Sequence, residues 1–455
     1  MKPSRVDRRV IQAWCLYDWA NSAFATTVLA ALFPPFFRSL AIGAGMAGNA
    51  ATAAWAFVTA GALLAAALVA PLLGAMADAT GGVKRYLAVF AGLGIAATFA
   101  FTLIPDGGWQ AAAALFIAAD LGFAGSIVFY ESLLPHIAGP GDIDRISARG
   151  YAWGYAGGGL LLALEAWWIA QPSFFGMPGT DFAVRASFAA TALWWAVFSI
   201  PLLIRVPEPG AATGLPGAGP AQATDSGPRP TTLGGRVVGR ADFDVAMGWR
   251  RLRKTLREVH RYRQLFAFLV AYWVYSDAIG TIIKMAVAYG DEIGISLNDL
   301  VRALLLTQAV GIPASLAFGR LAARRGARPA LLLGLFVYGL ICAGGYFMST
   351  ATHFYLLAGS IGLVQGGCQA LSRSLFASLV PRHKSAEFFG FFSTSSRFAG
   401  IIGPLVFGLV GGLTGTSRLS ILTLIAFFLA GGLLLLRVDL DEGRRVAREA
   451  EKEAA

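Results

Sequence analysis

Charge is scarce in this chain. Of its 455 residues, 14% are Asp, Glu, Lys or Arg and 56% are hydrophobic, against a charged share of roughly 25% in soluble domains. That composition cannot coat a water-soluble fold, so soluble architectures are excluded. Cysteine is scarcer still: Cys15, Cys342 and Cys368 each lie in an apolar run without ligand spacing or a mate, which removes a disulfide framework and a zinc site. The four histidines, His136, His260, His353 and His383, are dispersed. There is no Gly-x-x-x-x-Gly-Lys-Ser/Thr loop and no His-Glu-x-x-His pair, so ATP hydrolysis and the zinc-hydrolase site are excluded on their signatures, and neither enzymatic activity nor a cofactor is expected.

What the chain has in abundance is long apolar runs. They fall near 11–37, 52–77, 86–104, 109–138, 147–171 and 183–205, then near 264–290, 299–322, 329–349, 352–380, 386–412 and 417–437. A membrane-spanning helix needs about 20 mostly apolar residues, so the expectation is an all-α membrane protein of about twelve spans, six on either side of a gap. The basic N-terminus leads into the first run without a convincing cleavage site, and that run reads as a retained span.

The formal charge of +11 does not point to nucleic acid, because the basic residues cluster between apolar runs. Of the 37 Lys and Arg residues, 30 fall on the termini and alternate loops, and the opposite loops hold Arg38, Arg185, Arg302 and Arg418. Cytoplasmic loops carry that excess, so both termini and the central linker are expected in the cytoplasm and the number of spans is even. The domain reading follows: a bundle over 1–206, a cytoplasmic linker over 207–263, a second bundle over 264–437 and a charged tail over 438–455. The linker is rich in Pro and Gly near its start and is expected to be largely disordered. Trp249, Leu252, Leu256 and Val259 then recur at helical spacing beside Arg250, Arg251, Arg253, Lys254 and Arg257, the pattern of a basic amphipathic helix, on the membrane surface or between the bundles.

An internal repeat supports the division. Trp14, Asp18 and Ser22 correspond to Trp273, Asp277 and Thr281, and Glu131-Ser132-Leu133 lies opposite Arg373-Ser374-Leu375. Between the second and third runs stand Gly74, Asp78, Lys84 and Arg85, and between the eighth and ninth Gly319, Arg324 and Arg325, with Ala323 at the Asp78 position. This resembles the signature that major facilitator superfamily transporters carry once per half. The stretches Tyr17 to Thr27, Gly150 to Tyr155, Gln365 to Ser374 and Glu387 to Gly390 look like the vacuole-effluxer, autophagy-related branch of that superfamily. The resemblance implies two pseudo-symmetric six-helix bundles, and it implies export of amino acids by the fungal members.

Ionisable groups inside spans are costly and mark function by default. Here they are Asp18, Asp120, Glu131, Glu165, Asp277, Lys284, Arg373 and Arg397. The resemblance brings the first, fourth, seventh and tenth helices to a central cavity, and with them Asp18, Glu131, Asp277 and Arg373. Asn21 shares a helix face with Asp18, Gln365, Gln369 and Arg373 form a stripe at successive fours, and Asp277 shares a face with Lys284. Arg373 offers a planar fork for a carboxylate, while Asp18 and Glu131 suit an ammonium or a coupling proton, or else Glu131 and Arg373 form a structural ion pair. Gly74, Asp78, Lys84 and Arg85 are expected to form a cytoplasmic latch. The expected function is secondary transport by alternating access of a small solute, an amino acid or another polar metabolite, drug or sugar. The rival is a non-transporting sensor or scaffold on the same fold. Expected partners are the lipid bilayer, the solute and protons, in a monomer in the inner plasma membrane.

Overall fold

The computed structural model describes residues 7–139, 141–209, 249, 250, 253, 260–292, 297–398, 400, 402–414 and 417–454; the side chains of 284–292, 297, 298, 412 and 417 lie outside the description. The expected disordered linker and most of the basic helix before residue 260 therefore also lie outside the described residues, as does the Lys284 side chain.

The described chain is nearly all helix. The first half contains α1 (Arg8–Gly43), α2 (Gly48–Thr80), α3 (Val83–Leu103), α4 (Trp109–Ser132), α5 (Ile143–Ala170) and α6 (Thr180–Arg205). The second contains α7 (Arg263–Glu292), α8 (Leu297–Arg325), α9 (Ala327–Tyr346) and α10 (Ala351–Leu379). It continues with α11, in two segments (Ser385–Phe398 and Ile402–Thr414), and α12 (Ser417–Leu436). Eleven helical stretches among the described residues are long and apolar enough to cross a membrane. The twelfth, α5, has the length at 28 residues, but Asp144, Arg145, Arg149 and Glu165 dilute its apolar character. The twelve runs of the sequence thus become twelve helices.

Local chemistry sets several of the bends. Gly81 ends α2 at φ 70°, with its N–H on the Ala77 carbonyl, a left-handed cap that Gly adopts without strain. Within α1, Phe24–Leu32 is wound as π-helix and the Phe33 N–H bonds the Val28 carbonyl. Pro34 and Pro35 follow immediately. They lack N–H groups and crowd the preceding turn, which the wider winding accommodates.

The helices pack as two bundles. In the first, α3 lies along α4 and α1 against α5 and α6; in the second, α8 lies against α10, and α12 against α7 and α9. The bundles meet chiefly where α2 packs on α11 and α5 on α8. Glycine permits both crossings: a Cβ on Gly74 would enter the Ala386 backbone, one on Gly390 would stand 2.6 Å from the Ala70 carbonyl oxygen, and one on Gly319 would stand 2.6 Å from the Ala148 Cβ. The signature glycine of each half is thus the point where that half touches the other.

The tail is more ordered than its charge suggests. Residues Leu440–Ala454 form α13, which buries Leu440, Gly443, Ala447 and Ala450 at heptad spacing. It is bound to the second bundle by Arg261–Glu453, at 2.7 Å, and by Gln264 donating to Glu442, at 2.6 Å.

Candidate functional site

Between the bundles lies a cavity of about 490 Å³ whose wall includes Asp18, Asn21, Glu131, Gln365, Gln369 and Arg373. The sequence assigned all six to one site, and the structure brings them together. Their helices α1, α4 and α10 all reach the bundle interface. Asn21 donates to the Tyr17 carbonyl at 2.7 Å, which fixes its amide against its own helix.

Arg373 closes one end of this cavity, on the side where the described chain begins and ends. Only 1% of its side chain is exposed. Its Nε donates to the Ser147 Oγ and its Nη2 to the Ser147 carbonyl, each at 2.9 Å. Nη1 and Nη2 both reach the Asp18 Oδ2, at 3.3 and 3.2 Å. Three rings surround the guanidinium, with centroids at 4.8 Å (Trp14), 5.6 Å (Tyr130) and 4.4 Å (Tyr151), within the range of cation–π attraction. The Tyr130 hydroxyl donates to the same Asp18 oxygen at 2.7 Å. Gly150 keeps the place open, since a Cβ there would stand 2.9 Å from both the Arg373 Nη2 and the Trp14 ring.

The expected Glu131–Arg373 pair exists, but at 3.9 Å it is the looser of the two. Arg373, from the second bundle, is held chiefly by Asp18 and Ser147 of the first. In this state it ties the halves together, and its hydrogen-bonding edges are occupied.

Three other expectations are revised by the geometry. Asp277 is buried outside the cavity wall: its Oδ2 accepts the Gly403 N–H at 2.8 Å, at the start of the second segment of α11. The repeat aligned Asp277 with Asp18, but a helix start needs its N–H groups satisfied and the carboxylate serves that need. Its expected face-mate Lys284 has no described side chain. The Asp78 latch reaches across the bundles, its two oxygens accepting the Ala386 and Glu387 N–H groups at 3.2 and 2.8 Å, at the first turn of α11. Of the cations expected in that latch, Lys84 gives its backbone N–H to Glu208 at 3.0 Å and Arg85 is exposed, as are Arg324 and Arg325 of the second copy.

The sequence reading missed a second interbundle ion pair. The Arg397 Nη1 of α11 lies 3.0 Å from the Asp120 Oδ2 of α4; 277 positions separate the two in sequence, and no spacing within one helix relates them. Asp120 precedes Glu131 by three helical turns on one face, and each of these carboxylates meets an arginine of the other bundle. Arg397 lines the cavity with Ser393, Ser396 and Ser276. Tyr151 and Tyr155 line it too, from the stretch that the sequence singled out only for family resemblance. Glu165 is fully buried inside the first bundle, accepting from Thr27 at 2.5 Å and Thr191 at 3.0 Å. No cluster able to hold a metal occurs among the described residues.

Most of the interbundle bonds among the described residues share a side. Asp78 to α11, His136 with Ser385 at 3.0 Å, Ser147 to the Ala370 carbonyl at 2.7 Å and the Arg373 set all lie towards the termini. The Asp120–Arg397 pair and the bond from Thr394 to the Ala67 carbonyl, at 2.7 Å, stand nearer mid-height. The cavity is sealed towards the termini.

Comparison with known proteins fits this geometry. A family model described as vacuole effluxer Atg22 like matches residues 46–448. The uncharacterized MFS-type transporter YxiO of Bacillus subtilis is 33% identical over 439 residues, 96% of either chain. Autophagy-related protein 22 of Yarrowia lipolytica is 27% identical over 323 residues, 68% of this chain and 52% of that relative. Among solved structures, the human organic anion transporter MFSD10 superposes with a TM-score of 0.70 at 14% identity, over 94% of this chain and 99% of its own. The proton:xylose symporter XylE does so with a TM-score of 0.67 at 11% identity, over 94% and 95%. Likeness at such low identity is a likeness of fold.

Proposed function

The chain belongs to the Atg22-like vacuole effluxer family, within the major facilitator superfamily, and from that premise we propose that it carries a small zwitterionic solute of the amino-acid type by alternating access, coupled to protons. The observation that carries the reading is the charge inventory at the bundle interface. Asp18, Glu131 and Asp120 face Arg373 and Arg397, so among the described side chains of these ion pairs three carboxylates meet two guanidiniums and one carboxylate is in excess. A site of that kind accepts a single positive charge, either a proton or an ammonium group. With one proton aboard it is neutral overall and suits a zwitterion. Transporters of this architecture bind at the repeat interface near mid-membrane.

Glu131 is the natural seat of the exchangeable proton. It faces the cavity and is the loosest member of the Arg373 cluster, whereas Asp18 is fixed by Arg373 and the Tyr130 hydroxyl. Reopening towards the termini requires breaking the Arg373–Asp18–Ser147 set and lifting the first turn of α11 off Asp78. The positive-inside distribution supports termini in the cytoplasm, so the present state faces outward, in the plasma membrane or an organelle membrane equivalent to it.

The test is counterflow and pH-gradient-driven uptake in proteoliposomes, over a panel of neutral amino acids. Saturable exchange of at least one, stimulated by a proton gradient, is expected. Folded protein that exchanges none of them would rule out the amino-acid reading, and exchange indifferent to the gradient would rule out the proton.

A further inference from the structure

The two cavity arginines are not equivalent. Arg373 has acceptors on Nε, Nη1 and Nη2 and is 1% exposed. Arg397 gives only Nη1 to Asp120 among the described residues, and its side chain is 12% exposed in the cavity wall. A guanidinium has five N–H donors in a fixed fork, so Arg397 keeps an uncommitted edge. Asp120 is outside the wall and 7% exposed. It holds one arm of the guanidinium from behind and leaves the remainder to the cavity.

The surroundings suit an anion. Ser393 and Ser396 stand four residues and one residue before Arg397 in α11, and Ser276 lies on α7; all three belong to the cavity wall. Ser396 is turned back to the Ser393 carbonyl at 2.8 Å, a bond it can exchange for a ligand. Asp18 and Glu131 line the same cavity, Glu131 about 16 Å along α4 from Asp120; they would repel an anion, so an anionic group is directed to the Arg397 end and a cationic one to the Asp18–Glu131 end.

We propose that Arg397, positioned by Asp120 and supported by Ser393 and Ser396, is the subsite for the carboxylate of the transported solute, and that Arg373 is the interbundle lock. This rests on the zwitterionic substrate of the preceding reading and gives its anionic end an address. It also links binding to movement, because Arg397 and Asp120 sit on opposite bundles and a ligand that draws on the guanidinium pulls at the tie between α4 and α11.

The experiment compares binding of each amino acid found to be exchanged with binding of its decarboxylated amine, for the natural chain and for Arg397→Gln, Arg397→Lys and Arg373→Lys. The readout is the affinity ratio of acid to amine, which a general loss of stability does not move. At Arg397 the ratio should fall by about 30-fold or more in the Gln variant, the lower range for truncating one partner of a buried charged pair. It should fall partly in the Lys variant, which keeps the charge and loses the fork. A ratio unchanged in both Arg397 variants, or one that collapses only in Arg373→Lys, overturns the assignment. If Arg397→Gln does not fold because Asp120 is stranded, the double variant Asp120→Asn with Arg397→Gln replaces it, with the same ratio expected to collapse.

Should no amino acid bind, the zwitterionic reading fails, and the subsite is then tested alone with propionate and benzoate against their amides. A preference for the acid that Arg397→Gln abolishes sustains the anion site. Equal affinity for acid and amide, the absence of binding included, rejects it.

Discussion

At Arg373 one guanidinium concentrates the closing energy of a whole molecular end. Breaking a buried pair by removing one partner costs about 3–5 kcal/mol, because the other charge is left uncompensated. Arg373→Ala strands Asp18 and Glu131 together, so the seal towards the termini should open, and adding Asp18→Asn should restore part of it. Spin-label distances between the exposed positions Arg145 of α5 and Arg324 of α8, measured by double electron–electron resonance, report this; an unchanged distribution in Arg373→Ala would show that the cluster is not a lock. Glu131 makes a different demand. Glu131→Gln removes the excess carboxylate, and gradient-driven accumulation in proteoliposomes should be lost to a far greater degree than equilibrium exchange. Equal loss of both would assign Glu131 to binding or folding rather than to the proton. The sequence made these residues legible because charge inside an apolar run is conspicuous. It could not rank them, because the difference between a 3.2 Å contact with Asp18 and a 3.9 Å contact with Glu131 is set by three helices meeting, and no spacing within one helix encodes it.

Among the elements, α2 and α11 form the contact most dependent on single atoms. Asp78 serves as an N-terminal cap for a helix of the opposite bundle, with two charge-assisted bonds to backbone N–H groups. Hydrogen bonds to a charged group contribute about 1.5–3 kcal/mol each, so Asp78→Asn should weaken closure at the termini. Turnover should change more than ligand affinity, since Asp78 lies outside the cavity wall. Lost affinity with normal turnover would contradict this. Gly74→Ala should act in the same direction and more severely, because its Cβ has no space against the Ala386 backbone. The signature was visible in the sequence as a glycine and an acid near basic residues. Its meaning was only half legible, because local spacing suggested a partner in the same loop whereas the donors are the N–H groups of a helix start some three hundred residues away. The π-wound part of α1 was not legible either: Pro34 and Pro35 announce a disturbance, but not that the preceding nine residues absorb it and carry Thr26 to the cavity and Thr27 to Glu165. Trp195 was not legible either: it stands in the sequence only as one of two adjacent Trp residues, and its ring is fully buried against Phe24 and Phe123.

For the whole molecule, the arrangement of bundles and the side on which they are sealed make one joint prediction. The twelve runs supplied the helices, because the bilayer imposes length and satisfied backbone on every span; which end is closed depends on contacts between halves, which hydropathy does not record. Alternating access treats the closed end as the favoured member of a two-state equilibrium, and moving such a balance from 99:1 to 1:99 takes about 5.5 kcal/mol. The Arg373 cluster and the Asp78 cap are together of that order, so a ligand or proton acting on either can tip it. Single cysteines read this directly, and the background is low because Cys15, Cys342 and Cys368 are all buried. A cysteine at Gly280 lines the cavity without steric conflict and should react with an impermeant thiol reagent added to intact cells. One at Ala148, under Gly319 at the sealed end, should stay protected until substrate or Arg373→Ala opens that side. One at Gly217 in the linker should react only after the cells are permeabilised. Labelling at Gly217 from outside would invert the topology. A protected Gly280 beside a reactive Ala148, in permeabilised cells, would place the resting molecule in the opposite state, and Arg373 and Asp78 would then not be the contacts that hold it closed.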